Sequence, residues 1–214
     1  MNNLTMNFKN EQSNSQLFTL KCTNNSSSNW IFFLYQSFRD LPNAFPLAWL
    51  ASPYKISPGS SITFQWTEDY SFVWSNTGIL AAGSVYDAGG IKPCNPQLNN
   101  VTTFSLDDDA PQLSEAVPGG QPNTLTIQHA GNIPNNVFST GIGMSGQAIF
   151  LKQALVNTTT ICSPDLKIYL AAGDNIQIGQ VLNPTITGSI PIEFPINVKK
   201  LHATLNQDQS WIIS

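Results

Sequence analysis

Ser61-Ile-Thr-Phe-Gln-Trp66, then Thr67-Glu-Asp69, then Tyr70-Ser-Phe-Val-Trp74: this run decides the class of fold. Ile62, Phe64 and Trp66 recur at every second position, and so do Tyr70, Phe72 and Trp74. A period of two sends successive side chains to opposite faces of an extended chain, so each segment offers one aromatic face to a core. The short polar break between the segments predicts a β-hairpin with its indole and phenyl rings on the inner face.

The same pattern extends in both directions. Residues 16–22 alternate apolar with polar, residues 30–36 form an apolar, aromatic run, and Thr23 to Asn29 between them is a loop by composition. Pro58-Gly59 marks a tight turn, and Leu47-Ala-Trp-Leu50 lies in a proline-bounded stretch before it. Further strands are predicted over 101–106, 124–129, 148–156, 166–171, 175–182, 190–198 and 209–213. The segment Gln147–Val156 holds good helix formers but reads as strand. Fourteen prolines and 14 glycines, spread evenly, leave no room for long helices. Turn signals at roughly 8–15-residue intervals argue for a sandwich or barrel. The expectation is therefore all-β: an antiparallel β-sandwich of two packed sheets with Gly/Pro-rich loops and little helix. It would form one domain over 1–214, with the polar, Asn-rich residues 1–15 as an N-terminal arm. Leu80-Ala-Ala-Gly83 recurs as Leu170-Ala-Ala-Gly173, a match short enough to arise by chance.

Charge is the outlying property. Only 10% of residues are Asp, Glu, Lys or Arg, against about 25% in an average soluble domain. The polar surface must be built from Asn, Gln, Ser and Thr, and a net charge of −4 repels other copies weakly. Self-association through neutral, hydrogen-bonding faces follows as an expectation. With a pI near 4.9 and scattered basic residues there is no electrostatic footprint for nucleic acid. No run of about 18 apolar residues predicts a membrane span. The N-terminal stretch lacks the basic and apolar regions of an export signal, so a cytoplasmic location is expected, with non-classical release as the alternative. Cys22, Cys94 and Cys162 are odd in number and widely spaced, which suits free thiols in a reducing compartment.

Several chemical motifs are tempting and incomplete. Gly141-Ile-Gly143-Met-Ser-Gly146 satisfies G-x-G-x-x-G, with Asp165 downstream, but strands crowd both sides where a dinucleotide site needs a strand-to-helix turn. The motif reads as a glycine-rich bend between strands. Ser145 nearly matches a nucleophile elbow, but Gln147 replaces the last glycine. His129 and His202 are too isolated for a zinc site, and Asp107-Asp-Asp109 lacks the spacing of a calcium loop, so it reads as a solvated turn. Glu68 and Asp69 would need a histidine facing them to act in catalysis. No catalytic residue, metal or cofactor is predicted. Aromatic residues have the most scope for binding: Trp49 and Tyr54, with Asn43 nearby in a Pro-rich loop, form the candidate ligand set, since sugars stack on exposed rings while amides supply hydrogen bonds.

Phe64-Gln-Trp66-Thr-Glu-Asp69-Tyr-Ser-Phe-Val-Trp74-Ser-Asn-Thr-Gly78 resembles the rhizosphere-induced protein (RhiA-like) family of bacteria and some fungi. Leu47-Ala-Trp-Leu50, Gly141 to Gly146, Tyr169, Gly173 and Gly179 support the resemblance, which runs from about Trp30 to Phe194. It implies a soluble protein linked to host or surface interaction, and it carries over no catalytic or ligand residue. The expected function is a non-enzymatic structural or interaction protein that self-associates as a homo-oligomer or higher assembly. The alternative is a lectin-like, glycan-binding module built on Trp49, Tyr54 and Asn43.

Overall fold

Alternation in the central segments translates directly into strands. The computed structural model describes residues 3–8, 15–37, 41, 43–164, 167–183, 186 and 188–214. The strands are β1 Asn3–Phe8, β2 Leu17–Asn24, β3 Ile31–Ser37, β4 Ala44–Pro46, β5 Leu50–Ala51, β6 Ser61–Thr67, β7 Tyr70–Ser75, β8 Gly90–Pro93 and β9 Val101–Asp107. There follow β10 Ala110–Leu113, β11 Leu125–His129, β12 Ser139–Met144, β13 Gln147–Gln153, β14 Thr159–Cys162, β15 Lys167–Gly173, β16 Ile190–Ile192, β17 Lys200–Leu205 and β18 Trp211–Ile213. Among the described residues there is no helix. Strand β1 lies inside the stretch read as a polar arm, while residues 1, 2 and 9–14 of that stretch lie outside the described residues.

These strands make four sheets, against the two antiparallel sheets the sequence predicts: β1-β6-β2-β17-β18, β10-β9-β11-β14, β4-β13-β12-β7-β8, and β16-β15-β3-β5. The third and fourth are antiparallel throughout, but the pairs β1–β6, β2–β17 and β9–β11 are parallel. In the first sheet the period-two rule holds as read. Phe18 faces Trp66, Leu20 faces Phe64 and Cys22 faces Ile62, and all six are buried. Their neighbours Thr19, Thr63 and Gln65 are half-buried on the opposite face.

The predicted hairpin does not form. Strand β6 pairs with β1 and β2, whereas β7 pairs with β12 and β8 in a different sheet. A tight hairpin needs left-handed backbone at its turn, and no residue from Thr67 to Asp69 has a positive φ. The chain instead rounds a corner, where the Thr67 N–H donates to Ser145 Oγ at 3.2 Å and the Ser145 N–H donates to the Asp69 carbonyl at 2.9 Å. Strand β7 is buried on both faces. Phe72 and Trp74 enter the main core, while Val73 joins a smaller cluster with Leu47, Leu80, Leu151 and Val181 on the other side.

Of the stretch Gly141 to Gly146, read as a bend, only Ser145 and Gly146 turn; Gly141 to Met144 lies inside strand β12, paired with β7 and β13. A Cβ on Gly141 would lie 1.9 Å from the Phe150 carbonyl oxygen, and one on Gly143 would lie 2.6 Å from Ser71 Oγ. Glycine is required at both positions for these close approaches. Ser145 (φ 53°) and Gly146 (φ 78°) close a two-residue hairpin between β12 and β13. Two other expected strands are largely absent. Residues 175–182 turn at Gly179 (φ 79°) and touch neighbours through the isolated bridges Leu47–Val181 and Val85–Gln180. In 190–198 only Ile190–Ile192 is strand, before Pro195 and Asn197 (φ 65°) turn the chain. The two Leu-Ala-Ala-Gly copies also differ, the first being a turn and the second the end of β15.

Candidate functional site

The second sheet presents the most uniform surface. Inward, Phe104, Leu113, Leu125, Ile127 and Cys162 are buried in the main core. Outward, Gln112 lies opposite Ser105, Thr103–Gln128–Thr159 form a row across three strands, and Val101–Thr126–Ile161 form the next. Glycines of the loop after Pro118 lie over the inner part of the second row, since a Cβ on Gly120 would sit 3.1 Å from Thr126 Oγ1. The rest of the face is a neutral ladder of Thr, Ser and Gln. Its one charged strand residue, Asp107, sits at a corner, where Asp108 (φ 45°) and Asp109 (φ 63°) form the tight turn from β9 to β10.

This sheet ends on β14, whose sequence Thr-Thr-Ile-Cys holds neither charge nor proline. Proteins guard exposed edges with such residues, because an unpaired strand is a template for another strand. Four other edge strands each carry a proline: Pro46 in β4, Pro93 in β8, Pro111 in β10 and Pro191 in β16. Strands β1, β5 and β18 share the lack, and on β14 it stands beside Ile161, which is 47% exposed.

A second feature is the corner between β6 and β7. Asp69 Oδ2 accepts from Thr67 Oγ1 at 2.6 Å, and Oδ1 accepts from Ser15 Oγ. A cleft of about 370 Å³ opens beside them, lined by Glu68, Asp69, Tyr70, Ser71, Cys94 and Asn95 among others, with no histidine. The Ser71 hydroxyl is buried at its wall without a partner. Burial pushes the Cys94 thiol up to about 12, far from a nucleophilic thiolate. Cys22 and Cys162 are buried and their thiols are raised for the same reason.

The histidines lie elsewhere and are occupied. His129 is buried on β11 with Nδ1 bonded to Thr158 Oγ1 at 2.9 Å and Nε2 to Thr140 Oγ1 at 2.8 Å. Burial, reinforced by Lys152, lowers its pKa to about 4 against a smaller opposing effect of its Thr158 backbone bond, so the ring is neutral near pH 7. His202 Nε2 bonds Thr23 Oγ1 at 2.8 Å. Both histidines thus bond to threonines, and among the described residues no three His, Cys, Asp or Glu gather to hold a metal. Asp165 lies outside the described residues.

The candidate ligand set of Trp49, Tyr54 and Asn43 does not assemble. Trp49 is 0% exposed, and its Nε1 donates to the Met144 carbonyl at 2.9 Å. Its backbone explains the misreading: the Trp49 N–H bonds Leu34 and the Ala48 N–H bonds Gln180, so an apparent loop is held like a strand against β3. Tyr54 is exposed over a cavity of about 420 Å³ that the Lys55–Asp174 ion pair (3.0 Å) borders, and Asn43 does not line that cavity. Asn43 is exposed at the entry to β4, with φ 62°. Two other aromatic residues, Trp30 and Trp211, flank a cavity that the sequence reading missed.

Comparison with known proteins gives a consistent result. The family described as RhiA matches residues 15–214. Protein RhiA of Rhizobium leguminosarum bv. viciae is 41% identical over 199 residues, covering 92% of this chain and 86% of that protein. No solved structure matches.

Proposed function

The chain belongs to the RhiA family, and from that premise we propose that it is a non-enzymatic interaction protein that associates with copies of itself through the outward face and open edge of the β10-β9-β11-β14 sheet. One observation carries the reading: that face is nearly uncharged and ends on β14, an unguarded edge. A second copy meeting this surface would bury no unpaired charge, and the Thr and Gln side chains would exchange water for one another at little cost. An isologous contact of this kind is the commonest route to a symmetric dimer. Histidines engaged by threonines, and a cleft at Glu68 and Asp69 lined by no histidine, support a non-catalytic role. A core cluster drawing on all four sheets supports reading the fold as packed layers of one β-sandwich domain. Three unpaired cysteines support a reducing compartment, so we infer a cytoplasmic site of action.

Sedimentation velocity across protein concentration, at low and high salt, tests the proposal. The native chain is expected to form an oligomer whose stability changes little with salt, because neutral faces are not screened. Ile161→Lys places a charge on the exposed edge and is expected to yield monomer while circular dichroism stays unchanged. A native chain that is monomeric at every concentration, or an Ile161→Lys variant that assembles like the native chain, removes this surface as the site of association.

A further inference from the structure

Tyr54 and Asp174 meet at one end of the β16-β15-β3-β5 sheet for a reason of topology. Strands β5 and β15 both run antiparallel to β3, so the chain leaves each of them towards the start of β3, where Gly173 is opposite Ile31. The loops that follow, residues 52–56 and 174–180, line the cavity under Tyr54 together with Ile31. Its volume of about 420 Å³ falls within the roughly 300–1,000 Å³ of small-ligand sites. No lining residue belongs to the β10-β9-β11-β14 sheet, so the interpretation is independent of assembly.

Both loops are pinned. The Ser52 N–H donates to the Phe32 carbonyl at 2.8 Å and the Ile56 N–H to the Trp30 carbonyl at 2.7 Å, so Tyr54 sits in the middle of a loop fixed at both ends. On the other side, the Gly179 N–H donates to the Ala48 carbonyl at 2.9 Å and the Gln177 N–H to Gln180 Oε1 at 3.1 Å. The Lys55–Asp174 ion pair ties one loop to the other. A preorganised wall of this kind loses little entropy on binding.

The lining joins an open ring to accessible polar groups. Of the aromatic residues with a described side chain, Tyr54 alone is exposed, at 53%. Ile176, packed against the cluster of Ile31, Phe33 and Tyr35, adds an apolar wall. The charges of Lys55 and Asp174 cancel, and their side chains are 44% and 70% exposed. Their bond joins Nζ to Oδ1, so further donors on the ammonium and the second carboxylate oxygen remain for a ligand. The exposed Asn175 and Gln177 amides border the same space. We propose that this cavity binds one neutral sugar ring, whose C–H face packs on Tyr54 while one hydroxyl accepts from Lys55 Nζ and its neighbour donates to the Asp174 carboxylate. The Asn175 and Gln177 amides complete the polar contacts. The chemistry follows from the lining: an open aromatic face suits a C–H-rich surface, a donor and an acceptor held side by side suit adjacent hydroxyls, and a site without net charge favours a ligand without one.

Backbone amide resonances of the native chain, titrated with methyl glycosides of glucose, galactose and mannose, test this directly. The amides of Tyr54, Lys55 and Asn175 are expected to shift saturably with at least one of them, with a Kd on the order of 1 mM. Tyr54→Ala removes an exposed ring, so circular dichroism and sedimentation are expected to match the native chain while binding weakens about tenfold. Asp174→Asn keeps an acceptor oxygen and removes the charge. It is expected to weaken binding about fivefold, because hydrogen bonds to charged groups are the stronger ones. The proposal is overturned if none of the three glycosides moves these amides saturably, or if either variant, with its fold intact, binds as tightly as the native chain.

Discussion

Two pairs of tryptophans show how differently one residue type is used in this fold. Trp49 and Trp66 meet edge to face inside the core, with centroids 5.6 Å apart, and are 0% and 1% exposed. The Trp49 indole N–H is paired with a backbone carbonyl. Trp30 and Trp211 stand half-buried around an open cavity, and one of their two N–H groups has no acceptor. In the first pair both rings are fully enclosed by the chain, so they serve stability. In the second the chain leaves contacts unmade. The two pairs differ in whether the rings are enclosed on all sides, which residue type alone does not reveal.

The largest expected effect falls on the interior pair. Trp49→Ala removes a fully enclosed ring and leaves the Met144 carbonyl without its donor. Such truncations cost about 3–5 kcal/mol. Trp30→Ala is expected to cost clearly less, since one face of that ring already borders open space. Urea unfolding of both variants checks the order. Equal losses would mean that the Trp30 ring is as well packed as the core, and the contrast between the pairs would collapse.

His129 extends the interior case to a titrating group. Its folded pKa, lowered to about 4, lies below the unfolded value of about 6.5, so the unfolded chain takes up the proton first as pH falls. The neutral buried ring therefore contributes stability that is fully present above about pH 6.5 and is lost between there and pH 4. The expected loss at pH 4 is about 3 kcal/mol by linkage. His129→Gln keeps side-chain hydrogen-bonding capacity for Thr140 and Thr158 without a charge, and the difference between the native and variant pH profiles isolates the effect. Parallel profiles across that window would show that the ring is not desolvated as its position implies.

Much of this interior was legible in the sequence, and the reasons it stops are physical. Ile62, Phe64 and Trp66 could be read because β6 has one buried face and one half-exposed face. Strand β7 could be recognised as strand but not assigned a partner, since Ser71, Val73 and Ser75 are covered as completely as Phe72. Strand β12 is hidden by Gly141 and Gly143, whose composition suggests a loop although their role is to admit the Phe150 and Ser71 atoms. The parallel pairing of β2 with β17 joins Leu20 to Leu201, and no local pattern encodes such a contact. The candidate ligand residues failed for a related reason. Prolines near Trp49 suggest an exposed loop, whereas backbone bonds to β3 and to Gln180 turn it inward. Trp211, near the end of the chain, carried one available signal: an indole in a three-residue edge strand directly after the polar turn at Gln207 to Ser210.

The smallest expected effect sharpens the comparison most, because it changes one atom type in both pairs. Trp49→Phe and Trp211→Phe each keep an aromatic ring and delete an indole N–H. In the core, the deletion removes the indole donor to the Met144 carbonyl and opens some space, which is expected to cost about 1–3 kcal/mol. At Trp211 no acceptor is lost, and a buried unsatisfied donor disappears. That substitution is expected to fall within about 0.5 kcal/mol of the native chain, or to stabilise it. Thermal and urea unfolding of the two variants decide the point. If Trp211→Phe costs as much as Trp49→Phe, the Trp211 N–H already has a partner in the folded chain, and the second pair is ordinary packing at the edge of the core.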